Sequence, residues 1–245
     1  MLLKRVPDIH SSRDEVLWKY ITFTANSIAM VHVLGNQNSL LNQFVYEMRD
    51  AGIQADSMRF RANLERAAIV FGYEISKFLE YESREVVTTL GTAEISVLSD
   101  KVVIASILRA GVPMHNGMLQ LYDHAENAFI SAYRKYDRNG EFHIEVEYSS
   151  SPDLDGKVLI LCDPMLATGA SMVLCYRELL GNGQPKHTHI VTLLSSIEGI
   201  DYLKKIMPPE DYTLWTAAID DELTARAYIV PGLGDAGDLA YGKKI

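Results

Sequence analysis

Residues 158–171 read Val-Leu-Ile-Leu-Cys-Asp-Pro-Met-Leu-Ala-Thr-Gly-Ala-Ser, an apolar strand that ends in an acid, Asp163, and runs through a small-residue loop into a helix. In open α/β sheets ligands bind beyond the carboxyl ends of the strands, which aims Asp163 at the usual site. Ala167, Thr168, Gly169, Ala170 and Ser171 place backbone N–H groups and two hydroxyls at a helix start. There the helix dipole and the unpaired donors favour a phosphate. A plain strand-to-helix turn capped by Thr or Ser fits the same spacing as well. No GxxxxGK[ST] occurs, so this is not a Walker loop.

Two arginines stand at comparable places. Arg109 follows the run 102–108, apolar except for Ser106, into Ala110 and Gly111, so its guanidinium should emerge at a strand's carboxyl end beside a bare backbone. Arg134 ends the next strand in the same way. The planar guanidinium fork suits phosphate oxygens, although either arginine alone reads equally as a surface strand cap. Near the C-terminus, residues 228–238 read Tyr-Ile-Val-Pro-Gly-Leu-Gly-Asp-Ala-Gly-Asp. The GxGxxG within 232–237 ends the chain with no helix expected after it, which excludes a dinucleotide fingerprint.

The elements that must position these residues follow from periodicity. Helices are expected after Asn36–Ser39, with Leu40, Leu41, Phe44, Val45 and Met48 on one face, and from about Asp56, with Leu64, Ala68, Phe71, Ile75 and Phe78 on another. A strand pair surrounds Gly91, and the apolar run 102–108 suits a strand buried on both faces. From there strands and helices alternate to about residue 217, the signature of an open, mostly parallel α/β sheet flanked by helices. Residues 141–148 alternate Phe142, Ile144, Val146 and Tyr148 with polar residues, which predicts an exposed hairpin or flap. Residues 1–35 are a mixed N-terminal extension in which Val16, Trp18, Tyr20, Ile21 and Phe23 could form a strand or hairpin. With no repeat or long linker, the chain reads as one domain over 1–245 with an N-terminal helical elaboration.

Taken whole, Asp163–Ser171 as DPMLATGAS resembles the phosphoribosyl-diphosphate (PRPP) loop of type I phosphoribosyltransferases, and more narrowly that of the uracil phosphoribosyltransferases. Ile107-Leu-Arg109-Ala-Gly111, Ala132-Tyr-Arg134 and the 228–238 segment agree in order and spacing, so the resemblance covers residues 36–242. It implies that Arg109 and Arg134 contact the diphosphate, that Asp163 faces the ribose hydroxyls, and that Pro164, Met165, Leu166, Ala167, Thr168, Gly169, Ala170 and Ser171 form the loop around the 5′-phosphate. Asp235 would add a carboxylate near PRPP or its Mg²⁺, and is a candidate base for uracil N1. Ile229, Gly234, Asp235 and Ala236 would line a uracil pocket, largely through main-chain atoms. Uracil offers an acceptor, donor, acceptor edge, whereas cytosine would leave a buried site donor unpaired.

The implied reaction transfers the phosphoribosyl group of PRPP to uracil, giving UMP and diphosphate. Mg²⁺ would come with the substrate, with no dedicated metal ligands from the protein. A homodimer or higher homo-oligomer is implied too. The rival readings are a catalytically weak PRPP- or nucleotide-binding regulator and a phosphoribosyltransferase for another base. Three positions depart from the family pattern: Ala170 for a second Gly, Pro113 after the Arg-Ala-Gly segment, and Tyr241 where Phe is usual.

Composition narrows the partners. The 245 residues hold 23 Lys plus Arg against 32 Asp plus Glu, a net charge of −9, which disfavours coating of a nucleic acid but leaves small polyanions open. Two cysteines, Cys162 and Cys175, each in an apolar stretch, are too few for a disulfide framework. The charged N-terminus lacks the apolar run of a signal peptide, and no window approaches a membrane span, so the cytoplasm is the expected location. His187 and His189 lack a partner cluster at metal-ligand spacing. Met114, His115, Met118 and Leu119 read as packing, and Asp220, Asp221 and Glu222 as a solvated turn.

Overall fold

The computed structural model describes residues 30–136 and 142–244. The expected strand or hairpin at 16–23 and the tip of the expected flap lie outside these residues. Among the described residues, one large sheet has the order β1 (Met30–Val33), β10 (Tyr212–Asp220), β9 (His187–Ser196), β7 (Val158–Cys162), β4 (Val102–Leu108), β5 (Glu126–Tyr136) and β6 (Phe142–Ser150), with the short β8 (Met165–Leu166) also pairing with β9. Every pairing in it is parallel except that of β5 with β6.

Alternation along the central strands builds two cores. Val102 and Ile104 of β4, with Val158, Ile160 and Cys162 of β7, pack with Leu64, Phe71, Met114 and Met118. These come from α2 (Ser57–Ser76) and α3 (Gly111–Leu119), which cover one face together with α1 (Leu40–Arg49). Val103, Ala105 and Ile107, with Leu159 and Leu161, turn to the other face and meet Met172, Cys175, Leu179, Ile200 and Leu203 of α4 (Ala170–Leu179) and α5 (Ile197–Ile206). Strands buried on both faces explain why these runs carry no polar alternation. Cys162 and Cys175 are buried free thiols, and burial pushes the Cys175 thiol up to about 12.

The expected strand pair is present as β2 (Tyr81–Val87) and β3 (Thr92–Leu98), an antiparallel hairpin apart from the main sheet. The expected hairpin at 141–148 has its described arm, 142–150, paired antiparallel with β5 at the edge of the main sheet, with a register shift between Ser131 and Ala132; Val146 packs against the second core and Tyr148 is exposed. Two expectations need correction. A helix does follow the GxGxxG segment, α6 (Ala236–Tyr241), because Asp235 caps it by accepting from the Asp238 N–H at 2.9 Å. The glycine-rich segment follows the antiparallel ladder of β11 (Glu222–Leu223) with β12 (Ile229–Val230), not a parallel strand of a βαβ unit, so a dinucleotide fold remains excluded. Asp220 is no solvated turn residue but is only 7% exposed, ion-paired to Arg49.

Other expectations stand. Met114 and Met118 are fully buried, and His115 is buried with its Nε2 2.7 Å from Asn127 Oδ1. His189 Nδ1 accepts from Trp215 Nε1 at 3.1 Å, and His187 Nε2 lies 2.9 Å from Thr213 Oγ1. Both rings are thus partnered within the sheet.

Candidate active site

The carboxyl ends of β4 and β7 open onto a cavity of about 560 Å³. Its walls include Arg109 after β4, Ala132 of β5, Asp163 after β7, and Met165, Leu166, Ala167, Thr168, Gly169 and Ser171 of the following loop and helix start. Ile229, Gly234, Asp235 and Ala236 face it from the C-terminal segment. Residues 109, 163–171 and 229–236 lie far apart in the chain, and the sheet topology brings them to one place.

The geometry of the 163–171 loop has a local cause. Gly169 holds φ +79° as the residue before α4, a left-handed conformation that disfavours any side chain. A Cβ there would also meet Leu203 at 2.9 Å and the Gly199 carbonyl at 3.0 Å. Gly169 supplies no side-chain cap to α4, and Thr168 Oγ1 accepts from the Ala170 N–H at 3.4 Å at the helix start. Ala170, the departure from the usual second glycine, is the first helical residue, and Ala227 is the non-glycine residue with positive φ among those described. Its methyl is therefore carried without backbone strain. Pro113 is equally tolerated, standing in the first turn of α3 where no intrahelical N–H bond is lost.

Pro164 and Ala170 do not contribute to the cavity wall. Pro164 is buried, and its carbonyl accepts from Leu193 and Leu194 at 2.9 and 3.0 Å, fixing the loop to β9. Arg134 is placed by its backbone pairing with Ile144, beyond the last residue of β5 that pairs with β4, and two residues past Ala132.

Charge in the site is arranged around Arg109 and Asp163. Arg109 Nη2 donates to Asp238 Oδ1 at 3.0 Å and Nη1 to the Gly242 carbonyl at 3.2 Å. Its Nε is buried with no protein partner, a donor that a ligand oxygen in the cavity would satisfy. Burial pushes the Asp163 carboxyl up to about 7, partly offset by the Met165 N–H that it accepts at 3.4 Å. The Asp235 carboxylate is pinned by the Asp238 N–H while lining the cavity.

Sequence reasoning did not find Ala132, Ala227, Tyr228, Gly237 or Lys244 in the wall, nor Asp238 as the partner of Arg109. Asp238 had a local signal, since an acid three residues after the Asp235 cap lies in the first helical turn. Lys244 had none. Tyr241, the third departure, stays out of the wall and lies against Arg61, whose guanidinium is 5.8 Å from the ring.

Residues 35–243 match the family model described as uracil phosphoribosyltransferase. The chain belongs to the uracil phosphoribosyltransferase family. A protein named uracil phosphoribosyltransferase from Porphyromonas gingivalis is 56% identical over 212 residues, which cover 86% of this chain and 98% of that protein. One of the same name from Pyrococcus furiosus is 35% identical over 206 residues, 83% of this chain and 86% of that protein. The solved structure of the AQ2163 protein from Aquifex aeolicus aligns with a TM-score of 0.77 at 29% identity, covering 88% of this chain and all of that one. The family-model match covers every residue of the cavity wall except Lys244.

Proposed function

We propose that this chain transfers the phosphoribosyl group of PRPP to uracil, forming UMP and diphosphate. The observation that carries this reading is the convergence of a glycine-led helix start, an arginine with an unsatisfied Nε and a glycine-rich main-chain loop on one cavity. A phosphorylated sugar bonded to a base is a molecule of that layout. Thr168, Gly169 and Ser171, with the α4 N–H groups, hold the 5′-phosphate, and Asp163 accepts from the ribose hydroxyls. Arg109, joined by Arg134, takes the diphosphate, so that negative charge leaving the anomeric carbon meets fixed donors. Ile229, Gly234 and Ala236 present main-chain groups to the uracil edge, and Asp235 orients the substrate between the two loops.

Bond exchange at the anomeric carbon passes through an oxocarbenium-like state, for which the protein supplies positioning and exclusion of water. Asp163 and Asp235, the carboxylates of the cavity wall, would face an Mg²⁺ carried in by the diphosphate. When bound, Mg²⁺ neutralises diphosphate charge.

The β2–β3 hairpin supports a homo-oligomer. Val87 is 79% and Leu90 at its tip 98% exposed, with Tyr81, Val86, Ile95 and Leu98 exposed beside them. An isolated two-stranded ribbon with apolar side chains in water is marginal, and a second copy would cover it. No helix of the described residues is long and apolar enough to cross a membrane, and two buried free thiols suit the cytoplasm.

Purified protein given uracil, PRPP and Mg²⁺ should form UMP and diphosphate in equal amounts, with no product from cytosine or hypoxanthine. PRPP binding without UMP would establish the regulatory reading, and turnover of hypoxanthine alone would establish a purine enzyme.

A further inference from the structure

Behind the base loop, outside the cavity wall, lies an ion pair that no part of the proposed site uses. Arg49 stands in the last turn of α1 and Asp220 ends β10. Their pairing is bidentate, with Arg49 Nη1 to Asp220 Oδ2 and Nη2 to Oδ1 both at 2.8 Å. The same groups then reach the loop: Arg49 Nη1 also donates to the Gly232 carbonyl at 3.1 Å, and the Gly232 N–H donates to Asp220 Oδ2 at 3.0 Å. Both main-chain polar groups of one loop residue are therefore bound to one ion pair. Asp220 is 7% exposed and Arg49 22%, so water competes weakly for these bonds.

Gly232 is the tightest point of the segment. It holds φ +52°, and a Cβ there would collide with the Ile229 carbonyl, so the chain doubles back between Ile229 and Gly234. A glycine-rich turn has wide conformational freedom in isolation, and some contact must select this one shape. A buried ion pair is a poor source of net stability, because desolvation offsets most of its attraction. Its directional bonds do constrain geometry, and here they are directed at the loop.

We propose that Arg49 and Asp220 are positioning residues for the nucleobase: by clamping Gly232 they fix the curvature of residues 229–234 and thereby the main-chain groups that meet uracil. The inference rests on the reading of 229–236 as the base loop. It predicts a split between the two substrates, since the clamp touches neither Arg109 nor the 163–171 loop.

The test measures KM for uracil and for PRPP separately, with thermal unfolding, in wild type, Arg49→Lys, Arg49→Met and Asp220→Asn. Arg49→Met leaves the Asp220 charge buried and unpaired and is the variant most exposed to misfolding, whereas Asp220→Asn and Arg49→Lys keep shape or charge. The expected result is a rise of about tenfold in uracil KM, the size of one lost bond to a charged group, with PRPP KM within about twofold of wild type. Lysine cannot span both Asp220 oxygens and the Gly232 carbonyl, so Arg49→Lys should recover thermal stability without recovering uracil KM. Lowered thermal stability with both KM values unchanged, or an equal rise in both, would overturn the proposal. Ala236→Leu separates the two levels. If it leaves uracil KM unchanged, the base-loop reading fails; if it raises uracil KM while Asp220→Asn and Arg49→Lys do not, only the clamp fails.

Discussion

Asp163 shows how a single position acquires its chemistry. It stands where β7 leaves the core, so burial raises its carboxyl from an ordinary value of 3.8 to about 7. The sign follows from that direction: between 3.8 and about 7 the folded protein holds a proton that the unfolded chain has already lost, so stability from this group is fully present below 3.8 and declines as pH rises to about 7. Ribose hydroxyls donate best to the ionised form. The kcat/KM for PRPP, which reports the free enzyme, should therefore climb as pH passes through about 7, and Asp163→Asn should lose that limb along with a factor of roughly 10²–10⁴ in rate. A limb that survives unchanged in Asp163→Asn would assign it to the substrate instead. Arg109 is the complementary case: the apolar strand before it foretold where it emerges, but not that Asp238 and Gly242 would hold its Nη groups and leave Nε for a ligand.

Elements were legible wherever one physical rule dominated. The mainly apolar runs of β4 and β7 suited doubly covered strands, and 163–171 could be read as a strand-to-helix loop because an acid, a glycine and two hydroxyls sit in an otherwise apolar stretch. Where long-range contact decides, the sequence is silent. Arg49 and Asp220 are 171 residues apart, so Asp220 beside Asp221 and Glu222 looked like a solvated acidic turn until β10 carried it next to α1. The partner of the 142–150 strand was not legible, because alternation marks one covered face without saying which strand pairs at its edge. The β2–β3 arm was expected as a hairpin, and only its isolation from the sheet shows that its apolar residues lack cover. Val87→Lys combined with Leu90→Glu should halve the mass in light scattering at micromolar concentration, with each chain still folded. An unchanged mass would remove the arm from the subunit interface.

Across the whole molecule, a chain of net charge −9 is read as binding a substrate that is itself strongly anionic. The two observations are compatible because favourable potential is local: Arg109, Lys244 and the start of α4 share one cavity, while two separate cores on either face of the sheet hold the strand ends rigidly beneath it. The parallel order β9-β7-β4-β5 sets the 163–171 loop beside Arg109, and the return of the C-terminal segment over β4 completes the third wall. The central claim is that one cavity holds the phosphate, the ribose and the base in that arrangement. A crystal structure with UMP tests it directly. The phosphate should lie over residues 168–171, the ribose hydroxyls at Asp163, and the uracil edge within hydrogen-bond distance of main-chain groups in 229–236; a nucleotide whose base points away from that segment, or which binds outside the cavity, would contradict it.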